Sequence, residues 1–156
     1  MRNLFSAALA LSLLAAPLQA RNGMTWMKLS HSPTYSTDAV GCPDCNPYTG
    51  DTPCSTQLPI LCLRRDVSPN PGLATGSNNG WAGGHISLTQ PISGLALEDL
   101  ANANSLCEAA FGPGYVMGEF HDGGGGWNWN AYGNVKTGTR FWVYINDTAG
   151  NCWDLP

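Results

Sequence analysis

The chain is poor in charge. Only 12% of its 156 residues are Asp, Glu, Lys or Arg, and the 7 basic side chains are outnumbered by 11 acidic ones, for a formal net charge of -4. Nucleic acids and anionic membrane surfaces are gripped through basic patches, so neither is expected as a partner. The chain also lacks an apolar run of the roughly 20 residues that a bilayer-crossing helix needs. Its longest, Leu4 to Ala16, is too short, so no membrane span is expected. No internal repeat and no linker-like stretch divides it. With so few charges, and with 19 glycines, 11 prolines and 6 tryptophans, the surface has to be covered by Asn, Ser, Thr and backbone.

What is present begins with an address. Arg2, the apolar run, the helix-breaking Pro17 and the small Ala20 have the layout of a secretory signal peptide cleaved after Ala20. No cysteine follows the run, which argues against a lipoprotein anchor. The expected product is a single domain, Arg21 to Pro156, secreted or periplasmic. Six cysteines, Cys42, Cys45, Cys54, Cys62, Cys107 and Cys152, all fall in that part. An even number in an exported chain reads as three disulfides. The Cys42 to Cys62 spacing can also be drawn as a zinc site, and Cys42-Pro43-Asp44-Cys45 as a redox pair. The oxidising compartment weighs against the first, and the lack of a βαβ pattern against the second.

Periodicity gives a coarse architecture. Asn22 to His31 alternates as a first strand, and Ser32 to Gln57 reads as a long irregular stretch held by bridges. Leu58 to Asp66 is a short buried strand, and a second lies in Gly80 to Ser93 with Ile86 and Leu88 inward. Leu97, Leu100, Ala101, Asn104, Cys107 and Phe111 form the stripe of one helix, with Glu98 and Asp99 in its first turn and Gly112 as its cap. Tyr115 to His121 is a further strand. Arg140 to Asn146 alternates, with Phe141, Val143 and Ile145 on one face and Trp142 and Tyr144 on the other. The expected fold class is a small disulfide-stapled α+β domain with an antiparallel sheet, one main helix and long loops. A Cys107 to Cys152 bridge is favoured; it would close about 46 residues, worth roughly 4 kcal/mol in the chain-entropy model. It would frame the glycine-rich stretch Gly118 to Asn134 between tied ends.

Two segments carry a resemblance. Ala101 to Phe120, ANANSLCEAAFGPGYVMGEF, resembles the helix-to-strand region of C-type-lectin-like domains, and Arg140 to Trp153, RFWVYINDTAGNCW, is similar to that family's last strands. The phrases LPILCL, EFHDGGGGW and FWVYINDTAGNCW also resemble a group of small exported bacterial proteins of unassigned role. The lectin resemblance implies a binding scaffold, and it places a calcium-binding Asn-Asp pair at Asn146 and Asp147. The chain has neither the family's Trp-Gly-Leu signature nor its Glu-Pro-Asn or Gln-Pro-Asp sugar-specifying triplet.

Two groups of residues in Gly118 to Asn134 have the chemistry of a site. Glu119, His121 and Asp122 set carboxylates either side of an imidazole, suited to acid and base work or to a metal; their bland alternative is a hydrogen-bonded turn. Trp127, Asn128, Trp129, Asn130 and Tyr132 combine flat apolar rings with directional amides, the means by which sugar or peptide faces are bound. Their bland alternative is a lid over a small core. The four glycines Gly123 to Gly126 lack the lysine and the strand-to-helix context of a phosphate loop. Trp81, Trp142 and Trp153 read as core, and His31 and His85 as structural. Asn146-Asp147-Thr148 matches a glycosylation acceptor used only on a eukaryotic route. The leading expectation is an exported binding module for a carbohydrate or a protein surface, without a cofactor. A secreted hydrolase built on Glu119, His121 and Asp122 is the alternative, and a structural envelope-associated protein the third.

Overall fold

In the computed structural model, which describes residues 21–154, the strands are β1 (Asn22–Gly23), β2 (Thr25–Ser32), β3 (Thr37–Gly41), β4 (Thr52–Pro53), β5 (Gln57–Leu58), β6 (Leu61–Arg65), β7 (Gly80–Leu88) and β8 (Ile92–Ser93). The helix α1 (Leu100–Phe111) is followed by β9 (Tyr115–Met117), β10 (Asn128–Tyr132) and β11 (Arg140–Trp142). The signal-peptide reading lies outside the described residues.

Seven strands form one sheet in the order β11-β2-β3-β10-β7-β6-β9. Every neighbouring pair is antiparallel except β10 and β7, which run parallel. The sheet curls until its two edge regions meet. Ile60 pairs with Trp142 and Glu119 with Tyr144, through the bonds Trp142 N–H to Pro59 C=O (2.8 Å), Phe120 N–H to Tyr144 C=O (2.9 Å) and Tyr144 N–H to Gly118 C=O (3.1 Å). Together the strands, the helix and three disulfides make the small stapled α+β fold expected.

The alternation of Arg140 to Asn146 separates two cores. Phe141, Val143 and Ile145 join Met24, Trp26 and Trp129 inside the curl. Trp142 and Tyr144 point outward to a second cluster beneath α1, with Leu97, Ala103 and Met117. The helix starts later than its pattern suggests. Asp99 is its N-cap, its carboxylate accepting from Asn102 N–H at 2.7 Å, and Glu98 lies outside at φ 54°. Its buried face is Ala103 and Cys107, while Ala101 is exposed. Gly112 closes it at φ 94°, a conformation that glycine adopts without penalty.

Ser32 to Gln57 is less irregular than expected. After a tight turn through Ser36, the run Thr37-Asp38-Ala39-Val40-Gly41 pairs with β2 on one side and β10 on the other, at the sheet's centre. The burial of Thr37, Asp38 and Val40 carries it, though its flanking prolines and serines hide the strand in the sequence.

The bridges are Cys42–Cys45, Cys54–Cys152 and Cys62–Cys107, and no described cysteine is free. The expected Cys107 to Cys152 pairing is therefore corrected. Helix α1 packs against β9, the neighbour of β6, so Cys107 faces Cys62, while Cys152 arrives beside Cys54 in a space that the small Gly23 and Gly94 leave for its sulfur. Shared among three bridges, the four N-terminal cysteines do not form one zinc set. By chain entropy the 98-residue and 45-residue separations are worth about 4.7 and about 4 kcal/mol, and the 3-residue separation of Cys42–Cys45 under about 2 kcal/mol.

Candidate functional site

Gly118 to Asn134 turns out to be a packed crossing that ends in a central strand. Gly118 lies against Leu61, and a turn over residues 119–124 is closed by Asp122 N–H to Glu119 C=O (3.2 Å) and Gly124 N–H to His121 C=O (2.7 Å). The glycines exist because of what they touch. A side chain at Gly123 would run into Trp129, at Gly125 into the Ser77 backbone and at Gly126 into the Phe120 ring. Gly124 has φ 82°.

The aromatic and amide group is divided by this packing. Trp129 is fully buried, its ring 5.7 Å from Trp26 and its Nε1–H bonded to Glu119 C=O at 3.0 Å. Asn130 is also buried, and its amide donates to Asn79 Oδ1 (2.7 Å) and Gly80 C=O (3.2 Å). Both belong to the fold, which corrects their expected place on a binding surface. Asn128 is half-buried at the start of β10. Tyr132 lies with a different group, edge-on to Trp81 (4.9 Å), stacked on His85 (5.2 Å) and donating to Pro69 C=O.

Trp127 behaves differently. It precedes β10, so it escapes the strand's alternation and does not share a face with Trp129. Its backbone is left-handed at φ 65°, and its ring stays 42% exposed, edge-on to Phe120 at 5.6 Å. A bulky residue pays of order 1–3 kcal/mol for such a conformation, and strain of this kind gathers at ligand clamps.

Beside Trp127 lies a cleft of about 120 Å³ lined by Pro47, Tyr48, Phe120, His121, Ile145, Asp147 and Thr148. His121 is oriented from behind by Glu119, whose carboxylate accepts from His121 N–H at 2.5 Å and meets Nδ1 at 2.9 Å. Glu119 is buried, and the far nitrogen Nε2 lies 3.9 Å from Asp147 Oδ2. Asp122 does not join them. One of its oxygens accepts from Glu119 N–H at 2.8 Å and the other pairs with Arg65, so it pins the turn. The carboxylate facing His121 is that of Asp147. Burial, with the Glu119 charge adding to it, raises the pKa of the neighbouring Tyr144.

Sequence reasoning missed Pro47, Tyr48 and Thr148 as cleft residues. Tyr48 is 63% exposed, held by an Asx turn in which Asn46 Oδ1 accepts from Tyr48 N–H (3.0 Å) and Thr49 N–H (3.1 Å). The Asn-Pro-Tyr-Thr-Gly run is a turn signal that marks this wall, though not what it faces. Asn146 and Asp147 are exposed, and no group of three or more His, Cys, Asp or Glu side chains gathers as metal ligands among the described residues.

The other two histidines are also held at Nδ1. His85 meets Asp66 Oδ2 at 2.7 Å, and Asp66 is kept well below the usual carboxylate range, first by the Ser68 hydroxyl and then by His85 and Arg64, against some desolvation. His31 meets the fully buried Asp38 at 2.7 Å.

No protein-family model, no curated protein and no solved structure matches this chain. No described helix is long and apolar enough to cross a membrane, and three disulfides are compatible with an extracellular or periplasmic protein.

Proposed function

We propose that this is an exported binding module whose cleft beside Trp127 takes a carbohydrate. The observation that carries the reading is Trp127 itself, a large ring left half exposed on a left-handed backbone while its neighbour Trp129 is wholly buried. An exposed ring of this kind can cover the apolar face of a sugar. Asp147, His121 and Tyr48 around it can exchange hydrogen bonds with hydroxyls. The small volume suits one ring or one side chain at the tip of a larger ligand, so a protein surface offering a single anchor is the variant of the same reading. The resemblance of Ala101–Phe120 and Arg140–Trp153 to lectin-like segments points the same way.

The test is a glycan array followed by titration of any captured saccharide. Trp127→Ala should weaken capture by roughly tenfold or more, the usual cost of removing a central aromatic anchor. Its unfolding midpoint should stay near wild type. Unchanged affinity in a folded variant would sink the proposal.

A hydrolase is the second reading, favoured by the line Glu119, His121, Asp147, in which a buried carboxylate sets an imidazole facing an open cleft. The cleft has no serine or cysteine, and its one aliphatic hydroxyl, Thr148, is turned onto the Pro47 carbonyl, so the imidazole would have to activate water. Glu119→Gln should then abolish a turnover shown by the wild type across glycosidase, esterase and peptidase substrates. A turnover that survives the change removes this reading.

A further inference from the structure

The three bridges do not serve the same purpose. Cys54–Cys152 and Cys62–Cys107 enclose 98 and 45 residues, and all four of their cysteines are at most 4% exposed. A thiol reaches them only by opening the fold. Cys42–Cys45 spans three residues, so it constrains the unfolded chain least, and it packs against the core inside the curl, close in sequence to cleft residues Pro47 and Tyr48, instead of joining the cluster beneath α1. Cys42 is buried but Cys45 is partly exposed.

Its surroundings tie it to the cleft on both sides. The N–H of Cys42 donates to the carbonyl of Trp127 at 2.8 Å, one of the few bonds that fix the left-handed residue. Gly41, just before it, packs directly against Asn128 and the Trp127 carbonyl. Two and three residues after Cys45 come Pro47 and Tyr48, which line the cleft, and the Pro47 carbonyl accepts from the Thr148 hydroxyl. One short bridge therefore joins the backbone that holds Trp127 to the backbone that holds Tyr48.

We propose that Cys42–Cys45 is a thiol–disulfide exchange site, open to an external thiol while the protein stays folded, and that its reduction loosens the cleft. The thiolate of a monothiol such as glutathione attacks the accessible Cys45 Sγ. The Cys42–Cys45 bond breaks, and Cys42 leaves as a thiolate that takes a proton from water. A second glutathione thiolate then attacks the glutathione sulfur of the mixed disulfide. Oxidised glutathione leaves, and Cys45 is released and protonated. Two electrons pass from two thiols to one disulfide. The two new thiols remain three residues apart on a folded frame. Once Cys45 has attacked oxidised glutathione and released one glutathione thiolate, Cys42 attacks the Cys45 sulfur of the mixed disulfide and expels the second glutathione thiolate. The bridge thus recloses intramolecularly, and the site can cycle. This chemistry does not depend on what the cleft binds.

The experiment incubates the oxidised, full-length mature protein in glutathione buffers of increasing reducing strength, traps thiols by alkylation and assigns them by mass spectrometry. Cys42 and Cys45 should be alkylated under conditions that leave the other two bridges intact and the near-ultraviolet circular dichroism unchanged. If they are modified only together with the other four cysteines, or only once the tertiary signal is lost, the exchange site is overturned. Hydrogen exchange on the same samples reads the coupling. Reduction, or the Cys42→Ser/Cys45→Ser double variant, should speed exchange of the Cys42 amide and the 46–49 turn by roughly tenfold through local opening, with β6 and β7 unaffected. Exchange that is unchanged in reduced protein would overturn the coupling to the cleft.

Discussion

Asp38 and Glu119 are both buried carboxylates that hold a histidine at Nδ1, yet they sit in opposite situations. Asp38 is enclosed: Lys28 Nζ lies at 2.9 Å, His31 Nδ1 at 2.7 Å, and Val135 N–H donates at 2.6 Å. Lys28, itself buried, gives its remaining protons to Asn134 Oδ1 and the Val135 carbonyl, both at 2.9 Å. The network stitches β2 and β3 to the chain leaving β10. Glu119 is satisfied only from the His121 side, and the imidazole it orients presents its far nitrogen to a cleft beside a half-exposed tryptophan. A buried charge whose partners all lie within the fold is structural. One whose partner reaches open space has something left to do.

The comparison is broken most forcefully at Asp38. Asp38→Asn leaves the Lys28 ammonium buried without its counter-charge, and removing one member of a buried pair usually costs 3–5 kcal/mol, so urea unfolding should show a loss of about that size. A loss under about 1 kcal/mol would place the network among surface pairs. Glu119→Gln is the milder counterpart. The isosteric amide retains an acceptor for His121 N–H and loses the charge-assisted bonds, so the same measurement should read about 1–3 kcal/mol. His85 and Asp66 sharpen the contrast at the exposed extreme. Because Ser68 first, and then His85 and Arg64, depress the Asp66 pKa in the folded protein, the carboxylate adds stability that is fully present above the ordinary value of 3.8 and is lost as pH falls below it. The melting temperature of wild type should exceed that of Asp66→Asn by a constant margin above that pH, and the margin should shrink in more acidic buffer. A margin independent of pH would show that the bond carries no linkage.

What could be read from the sequence was local. Residues Phe141 to Ile145 alternate cleanly because each face of that segment meets a different core, and α1 shows its Gly112 end because a glycine cap is decided locally, whereas its apolar stripe, beginning at Leu97, overruns the true N-cap at Asp99. The central strands β3 and β10 stayed hidden for the same reason in reverse. A fully paired strand can tolerate glycine, asparagine and threonine when its neighbours on both sides supply the hydrogen bonds, and those neighbours lie far away in sequence. Trp127 and Trp129 look equivalent in a Trp-Asn-Trp-Asn run. One backbone angle, fixed by the crossing of the glycines, separates them. The bridge pattern and the meeting of His121 with Asp147 depend on the sheet closing on itself, and spacing does not record that closure.

That closure limits how a partner can attach. Sheets with open margins recruit extended peptides by adding a strand, and the same margins expose a protein to edge-to-edge aggregation. Where the ends of this curl meet, at Ile60 with Trp142 and Glu119 with Tyr144, the main-chain donors and acceptors are taken up by each other. A polypeptide offering its backbone finds nothing to zip onto there. Contact at that seam is left to side chains, and the seam runs directly into the residue that orients His121.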